Sequence, residues 1–374
     1  MERLINKRLV SVSILHFLVD FISVGSLVLA FNYFKDSFAH FSYIFLIYNC
    51  LAFLLQPFFG LLIDHFDDER ERKAIKAFML LSIGILLLGY SSIQLFHFSG
   101  FRRANIVLVF VGAVLLGIGN ALFHVTGGKE ALIQSTKATP GGLFVSTGAL
   151  GVGLASIMVV VPFAFDLVIS FILIIPIITI IFTFVYLSTD NVPSIIVYEM
   201  RNVKKIKTLI TIVVVLCLAI AVRSFLGFYT KVSENLSGWE YTLLFAVAAF
   251  FGKAIGGIIL DLVGPYFLLG ISTIISVMLS IFNSVPFFSF IFVLSFNMLM
   301  PLTLDVLRKC FPNKEGFAFG LAASFLIPGY LLGGALKKYG TQNIVVPIVC
   351  FLTGALLVVV YLLYNKVIKN ERNN

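Results

Sequence analysis

Charge is what this chain has least of. Asp, Glu, Lys and Arg make up 12% of its 374 residues, against about 25% in a typical soluble domain. A water-facing globule cannot cover its surface with so few ionised groups, which excludes a soluble enzyme. A disordered chain is excluded as well, because it needs high charge and low hydrophobicity. Acidic residues are the scarcer kind, 18 against 27 basic ones, for a formal charge of +9. Cysteine is rare too. Cys50, Cys217, Cys310 and Cys350 have neither metal-ligand spacing nor the density of a disulfide framework. Three of them sit in apolar runs as small hydrophobes, and only Cys310, after Arg308 and Lys309, has cationic neighbours. There is no Walker Gly-x-x-x-x-Gly-Lys-Ser/Thr, no His-Glu-x-x-His and no Gly-x-Ser-x-Gly, hence no signature of an ATP motor, a zinc protease or a hydrolase elbow. No enzymatic activity, metal or cofactor is expected.

What is present in quantity is apolar. Hydrophobic residues are 60% of the chain, forty of them Phe, and mean hydropathy is +1.05. Such a chain is an integral membrane protein, expected as a multi-pass protein of the cell membrane with the lipid bilayer as its first partner. A spanning helix needs about 20 mainly apolar residues. Twelve runs qualify: Val10–Phe31, Phe41–Ile63, Ala74–Phe96, Ala104–Val125, Gly142–Phe163 and Leu167–Leu187, then Leu209–Tyr229, Tyr241–Leu262, Tyr266–Phe282, Phe287–Leu307, Phe317–Leu336 and Ile344–Tyr364. The runs are continuous and do not alternate, so they are helices and not barrel strands. The basic start Met1–Arg8 leads into the first run without a small-residue cleavage site and is expected to stay as the first span rather than leave as a signal peptide.

Lys and Arg test the orientation. With the N-terminus inside, 19 fall on the inner side (counting Lys76, at the inner end of the third run), six on the outer side, and Arg223 and Lys253 deeper within spans. That bias predicts cytoplasmic termini and an even number of spans. It also explains the positive charge by loops facing an anionic inner leaflet, with no nucleic acid required.

The chain repeats itself weakly. Span 2 ends Gly60-Leu-Leu-Ile-Asp64 and span 8 ends Gly257-Ile-Ile-Leu-Asp261, 197 residues apart; Lys35 and Lys231 are 196 apart. Asn120 to Thr126 in span 4 is echoed by Asn297 to Thr303 in span 10. This is the internal symmetry expected of a transporter built from two halves. The expected fold is all-α, twelve transmembrane helices in two pseudo-symmetric six-helix bundles, 1–187 and 208–374, joined by a polar, basic cytoplasmic linker at 188–207. Glycines at such spacing also let helices pack closely, but an Asp repeated at equivalent ends points to a shared conformational role.

Gly60 and Asp64, followed by Arg70, Arg72 and Lys73, resemble the helix 2–3 signature of the major facilitator superfamily, and Gly257, Asp261 and Gly264 look like its second-half copy. The match has departures: Asp67-Asp68-Glu69 stands where Gly-Arg is expected, and the second copy runs Gly264-Pro265-Tyr266 without basic residues. The resemblance implies a conformational-switch role for Gly60, Asp64, Arg70, Gly257 and Asp261. Gly117 to His124 and Arg223-Ser-Phe are similar to the fosmidomycin-resistance type of efflux carrier within that superfamily, which favours export. Gly148, Gly151 and Gly153 lack the proline of the family's antiporter signature.

Charges inside spans cost on the order of 2.5–3.5 kcal/mol at the centre, so those retained carry information. His16 and Asp20 are four apart in span 1, Asn120 and His124 four apart in span 4, and Asn297 and Asp305 eight apart in span 10. Each pair therefore shares a helix face. Arg223 lies in span 7 and Lys253 in span 8. The resemblance implies that the first and fourth helices of each half line a central cavity, and most of these residues lie on those four helices. Each has a structural alternative: an interhelical hydrogen bond for His16, an interfacial position for His124 and Asp305, a pairing carboxylate for Arg223 and Lys253. A carboxylate at mid-bilayer must be protonated, paired or hydrated, which makes Asp20 the expected proton-coupling group, assisted by His16. Arg223, Asn120, His124, Asn297 and Lys253 are the expected substrate-binding residues. Pro301 and Pro328 are expected to kink spans 10 and 11.

The function expected is secondary active transport of a small organic solute by alternating access, coupled to protons, with export favoured and the monomer as the working unit. The alternatives are an uptake carrier for an organic anion using Arg223 and Lys253, and a membrane receptor or scaffold with the same fold and no transport.

Overall fold

In a lipid interior the backbone has no water to bond, so each apolar run closes its own hydrogen bonds as a helix. The computed structural model describes residues 6–33, 38–66, 68–98, 106–157, 165–189, 206–229, 238–336 and 342–372, and among these there is no strand. The first half consists of α1 (Lys7–Tyr33), α2 (Phe38–Leu54), α3 (Gln56–Ile63), α4 (Asp68–Phe98), α5 (Ile106–Ile133), α6 (Thr139–Ile157) and α7 (Phe165–Leu187). The second consists of α8 (Ile206–Tyr229), α9 (Gly238–Leu262), α10 (Pro265–Ser280), α11 (Pro286–Asn297), α12 (Leu299–Cys310), α13 (Glu315–Ser324), α14 (Leu326–Leu336) and α15 (Gln342–Arg372). Asn6 starts α1 by accepting a hydrogen bond from the Leu9 amide at 2.8 Å, an ordinary N-cap. Lys35, Lys231 and residues 190–205 of the linker lie outside the described residues.

Three of the apolar runs are broken rods. The breaks fall at Leu55, Met298 and Phe325, each two or three residues before a proline: Pro57, Pro301 and Pro328. Proline has no amide hydrogen for the carbonyl four residues back, and this produces the interruptions at Pro301 and Pro328 foreseen in the sequence. Joining α2 to α3, α11 to α12 and α13 to α14 leaves twelve rods among the described residues. Ten are long and apolar enough to cross a membrane, and Ile174–Leu187 and Pro265–Ser280 are shorter apolar helices.

The first six rods share one core, which Leu304 and Phe319 of the second half join, and the last six pack around two, one of them taking in Ala138 of the first half. In the first half α1 lies on α6 and α4 on α5; in the second, α8 lies on α14 and α15, and α10 on α11 and α15. The halves meet where α6 runs along α9 and α3 along α13. Polarity is arranged for lipid. Phe58, Leu88, Phe287 and Phe351 are each more than 60% exposed on the perimeter, while His16, Asp20, Asn120 and Arg308 are buried.

Helix α5 continues eight residues past the Val125 boundary expected from hydropathy, carrying Lys129 and Glu130 into the interior. The charges there are compensated. Glu130 Oε1 lies 2.6 Å from Arg8 Nε, Tyr186 donates to Glu130 Oε2 at 2.9 Å, and Lys129 pairs with Asp64 at 2.9 Å and with Glu71. Removing one member of a buried pair leaves the other uncompensated. Glu130→Ala is therefore expected to cost about 3–5 kcal/mol, read as a lower thermal-unfolding midpoint, and Arg8→Met combined with Glu130→Leu to recover most of that loss.

Candidate substrate and coupling site

Two i, i+4 pairs meet at the centre of the first half. His16 and Asp20 project from one turn of α1, and Asn120 and His124 from one turn of α5. Helical spacing alone aligns each pair, and the contact of α1 with α5 brings the pairs together. His16 Nδ1 donates to the Phe144 carbonyl at 2.6 Å and His124 Nδ1 to the Asn120 carbonyl at 2.9 Å. A carbonyl can only accept, so both Nδ1 atoms carry hydrogen and, in the neutral rings, both Nε2 atoms are bare. Those two Nε2 atoms face each other at 2.9 Å. Asp20 faces both, Oδ2 at 3.3 Å from His16 and Oδ1 at 3.4 Å from His124.

Three acceptors pointed at one another repel unless a cation sits among them. One proton on either Nε2 turns the cluster into a charge-assisted hydrogen bond between the rings and an ion pair of the protonated ring with Asp20. Asn120 Nδ2 donates to Asp20 Oδ1 at 3.1 Å and to Ser23 Oγ at 3.3 Å, holding the carboxylate in register. The His16 ring stacks on Phe144 with centroids 4.2 Å apart. Gly148 and Gly151 of α6 lie directly against the His16–Asp20 turn, so these glycines serve close packing of α6 on α1. The three acceptor atoms lie within 4.8 Å of one another, a convergence that spacing along the chain did not reveal.

The second half holds a cavity of about 180 Å³ between α8, α9, α11 and α14. Arg223, Lys253 and Asn297 line it, with Phe245, Phe292 and Phe296 among its walls. Arg223 is 8% exposed, and its Nε has no hydrogen-bond partner. Lys253, on the cavity wall, is within electrostatic reach of both Arg223 and Asp20. Asn120 and His124 thus belong with Asp20, while Arg223, Lys253 and Asn297 form a separate group. Asp305 does not join Asn297. The break at Met298 interrupts their shared face, and Asp305 pairs with Arg308 at 2.7 Å and Lys309 at 2.6 Å.

A third set of contacts locks the face at which α3, α5, α9 and α12 end. Asp64 accepts from the amides of Gly316 at 3.1 Å and Phe317 at 2.7 Å, at the start of α13. Asp261 accepts from the amides of Ala138 and Thr139, both at 2.8 Å, and from the Thr139 hydroxyl at 2.5 Å, at the start of α6. Each carboxylate caps a helix N-terminus of the opposite half, where its charge meets the positive end of the helix dipole. Gly60 and Gly257 make the approach possible. A Cβ on Gly60 would stand 2.6 Å from the Gly316 carbonyl carbon, and one on Gly257 would stand 3.1 Å from the Thr139 Cα. Arg70 is exposed, and the cation that meets Asp64 is Lys129. Arg308, which the sequence did not single out as a switch residue, donates to the carbonyls of Leu132, Ser135 and Thr136 at 2.6–3.0 Å.

Across 97% of this chain, the fold matches a crystal structure titled as a major facilitator superfamily transporter, FucP, in the outward conformation, with a TM-score of 0.66 and 13% identity over 99% of that chain. This is the major facilitator fold. A variant of the same E. coli fucose:proton symporter matches with a TM-score of 0.65, again at 13% identity, over 97% of this chain and 99% of that one. A bacterial homologue of the iron transporter ferroportin, in an outward-facing state, matches with a TM-score of 0.63 and 12% identity, over 98% of this chain and all of that one. No protein-family model matches the chain, and no curated protein matches it by sequence. Within the major facilitator fold the repeated Gly-x-x-x-Asp ends are the two pseudo-symmetric helix caps of the locked face.

Proposed function

We propose that the chain is a secondary active transporter that moves a small solute by alternating access, coupled to protons at His16, Asp20 and His124. The observation that carries this reading is the pair of bare Nε2 atoms 2.9 Å apart beside a buried carboxylate, an arrangement that needs a proton to be stable. The fold shared with a fucose:proton symporter supports it. Residues 1–187 and 208–374 are the two bodies that rock, linked by 188–207. The basic bias of the sequence assigns the termini, and with them the locked face, to the cytoplasm. Asp64, Asp261 and Arg308 then hold an outward-facing state, and their release opens the inner side. The protein acts as a monomer, since both sites are built within one chain.

The reading is tested by screening solutes for those that raise the thermal-unfolding midpoint of the purified protein, then measuring flux of each hit into proteoliposomes with and without a pH gradient. Accumulation that follows the gradient is expected. Flux indifferent to the gradient contradicts proton coupling. So does a midpoint that rises with Zn²⁺ or Mn²⁺ alone and stops rising in Asp20→Asn, which would make the cluster a site for metal cargo.

A further inference from the structure

Resting on the transporter reading, we propose that the cavity of the second half is the substrate site and takes a small organic anion, an oxyanion head on a largely apolar body. The cavity presents two cations, Arg223 and Lys253. Among the described residues neither makes a hydrogen bond or ion pair. Buried charges are ordinarily paired or neutralised; Arg223 is buried, Lys253 is partly so, and the counter-charge is left for a ligand.

The other polar groups of the lining are already engaged. The Ser224 hydroxyl donates to the Leu326 carbonyl at 2.6 Å, and Asn297 Nδ2 donates to the Val293 carbonyl at 2.8 Å. The charged donors of the lining are thus the guanidinium and the ammonium, which favour an acceptor with negative charge. The planar fork of Arg223 matches a carboxylate or phosphonate with two parallel hydrogen bonds. Phe245, Phe292 and Phe296 offer apolar contact for the rest of the solute. The volume of about 180 Å³ is below the ~300–1,000 Å³ of drug-sized sites, which limits the solute to a small one.

The carboxylate within reach of Lys253 is Asp20, whose oxygens face His16, His124 and Asn120. Lys253 therefore senses the cluster without being neutralised by contact with it. A proton bound at the cluster and an anion bound at Arg223 carry opposite charges, so each favours the other. That is the sign needed for carrying both in the same direction.

The test uses the purified full chain in detergent, with benzoate, phenylacetate and phenylphosphonate as probes, each against its neutral amide or ester. At least one anion is expected to raise the unfolding midpoint in a concentration-dependent way while its neutral counterpart does not. Arg223→Gln is expected to weaken that response by roughly tenfold or more, the scale of a lost charge-assisted pair. The same variant without ligand is expected to unfold at an equal or higher temperature, because it removes a buried cation with no partner. Loss of the response then reflects the site and not misfolding.

No response to any anion, an equal response to the neutral counterparts, or an unchanged response in Arg223→Gln overturns the anion assignment. Failure of the transport reading looks different: the anions bind through Arg223 but do not cross proteoliposomes. Gradient-driven flux of neutral solutes alone would overturn the anion site and leave the transporter standing.

Discussion

Asp20→Asn is expected to abolish accumulation of solute driven by a proton gradient while leaving exchange of solute across the membrane intact. The amide is nearly isosteric and still accepts the hydrogen bond from Asn120, so the geometry of α1 against α5 survives. What disappears is the negative charge that holds a proton at the facing Nε2 atoms of His16 and His124. Without it the cluster has no ion pair to form or break between the two states of the transporter. Proteoliposomes loaded with unlabelled solute and diluted into labelled solute measure exchange; the same vesicles under an imposed pH gradient measure accumulation. Loss of both activities together would assign Asp20 to solute binding, and retention of both would remove it from the mechanism.

Gly60→Val is expected to keep the locked face from closing. The backbones of α3 and α13 touch at this residue, and even a single added carbon would lie 2.5 Å from the Gly316 carbonyl oxygen and 2.6 Å from the Phe317 Cα. These are backbone atoms that cannot turn aside as a side chain would. Overpacking of this kind costs about 1–3 kcal/mol, which shifts an equilibrium between open and closed faces by about 5–150-fold. Ser135, 6% exposed beneath the Arg308 contact, reports the change. In a protein whose four native cysteines are replaced by Ala, Ser135→Cys is expected to react slowly with a maleimide, and faster by a factor in that range once Gly60→Val is added. An unchanged rate would mean that the two halves do not separate at this face.

The rods and the intramembrane charges were legible in the sequence because each is a local matter. Hydropathy finds a helix that must hide its own backbone, and a charge in an apolar run stands out wherever the run folds. Both i, i+4 pairs could be read from spacing. Their convergence could not, since it depends on α1 crossing α5 about 100 residues later, and no local pattern encodes that crossing. The end of α5 was misplaced for a related reason. Lys129 and Glu130 fall beyond the apolar run, yet their partners Asp64, Glu71 and Arg8 arrive from the end of α3, from α4 and from α1. Asn297 and Asp305 share a face only on an unbroken helix, and Pro301 breaks it. The Gly-x-x-x-Asp repeat was visible as a pattern. Its physical content, two carboxylates capping helices of the opposite half, emerges only from the packing of the two halves.

The most direct measurement of the coupling mechanism follows protons and solute in the same vesicles. Proteoliposomes containing a pH-sensitive dye are given an inward gradient of whichever anion most stabilises the purified protein, with no pH gradient imposed. The wild-type protein is expected to acidify the lumen as the anion enters, and Asp20→Asn to admit the anion only by exchange, with no change in pH. Entry of the anion without acidification in the wild type, or equal acidification in Asp20→Asn, would contradict coupling through the His16–Asp20–His124 cluster.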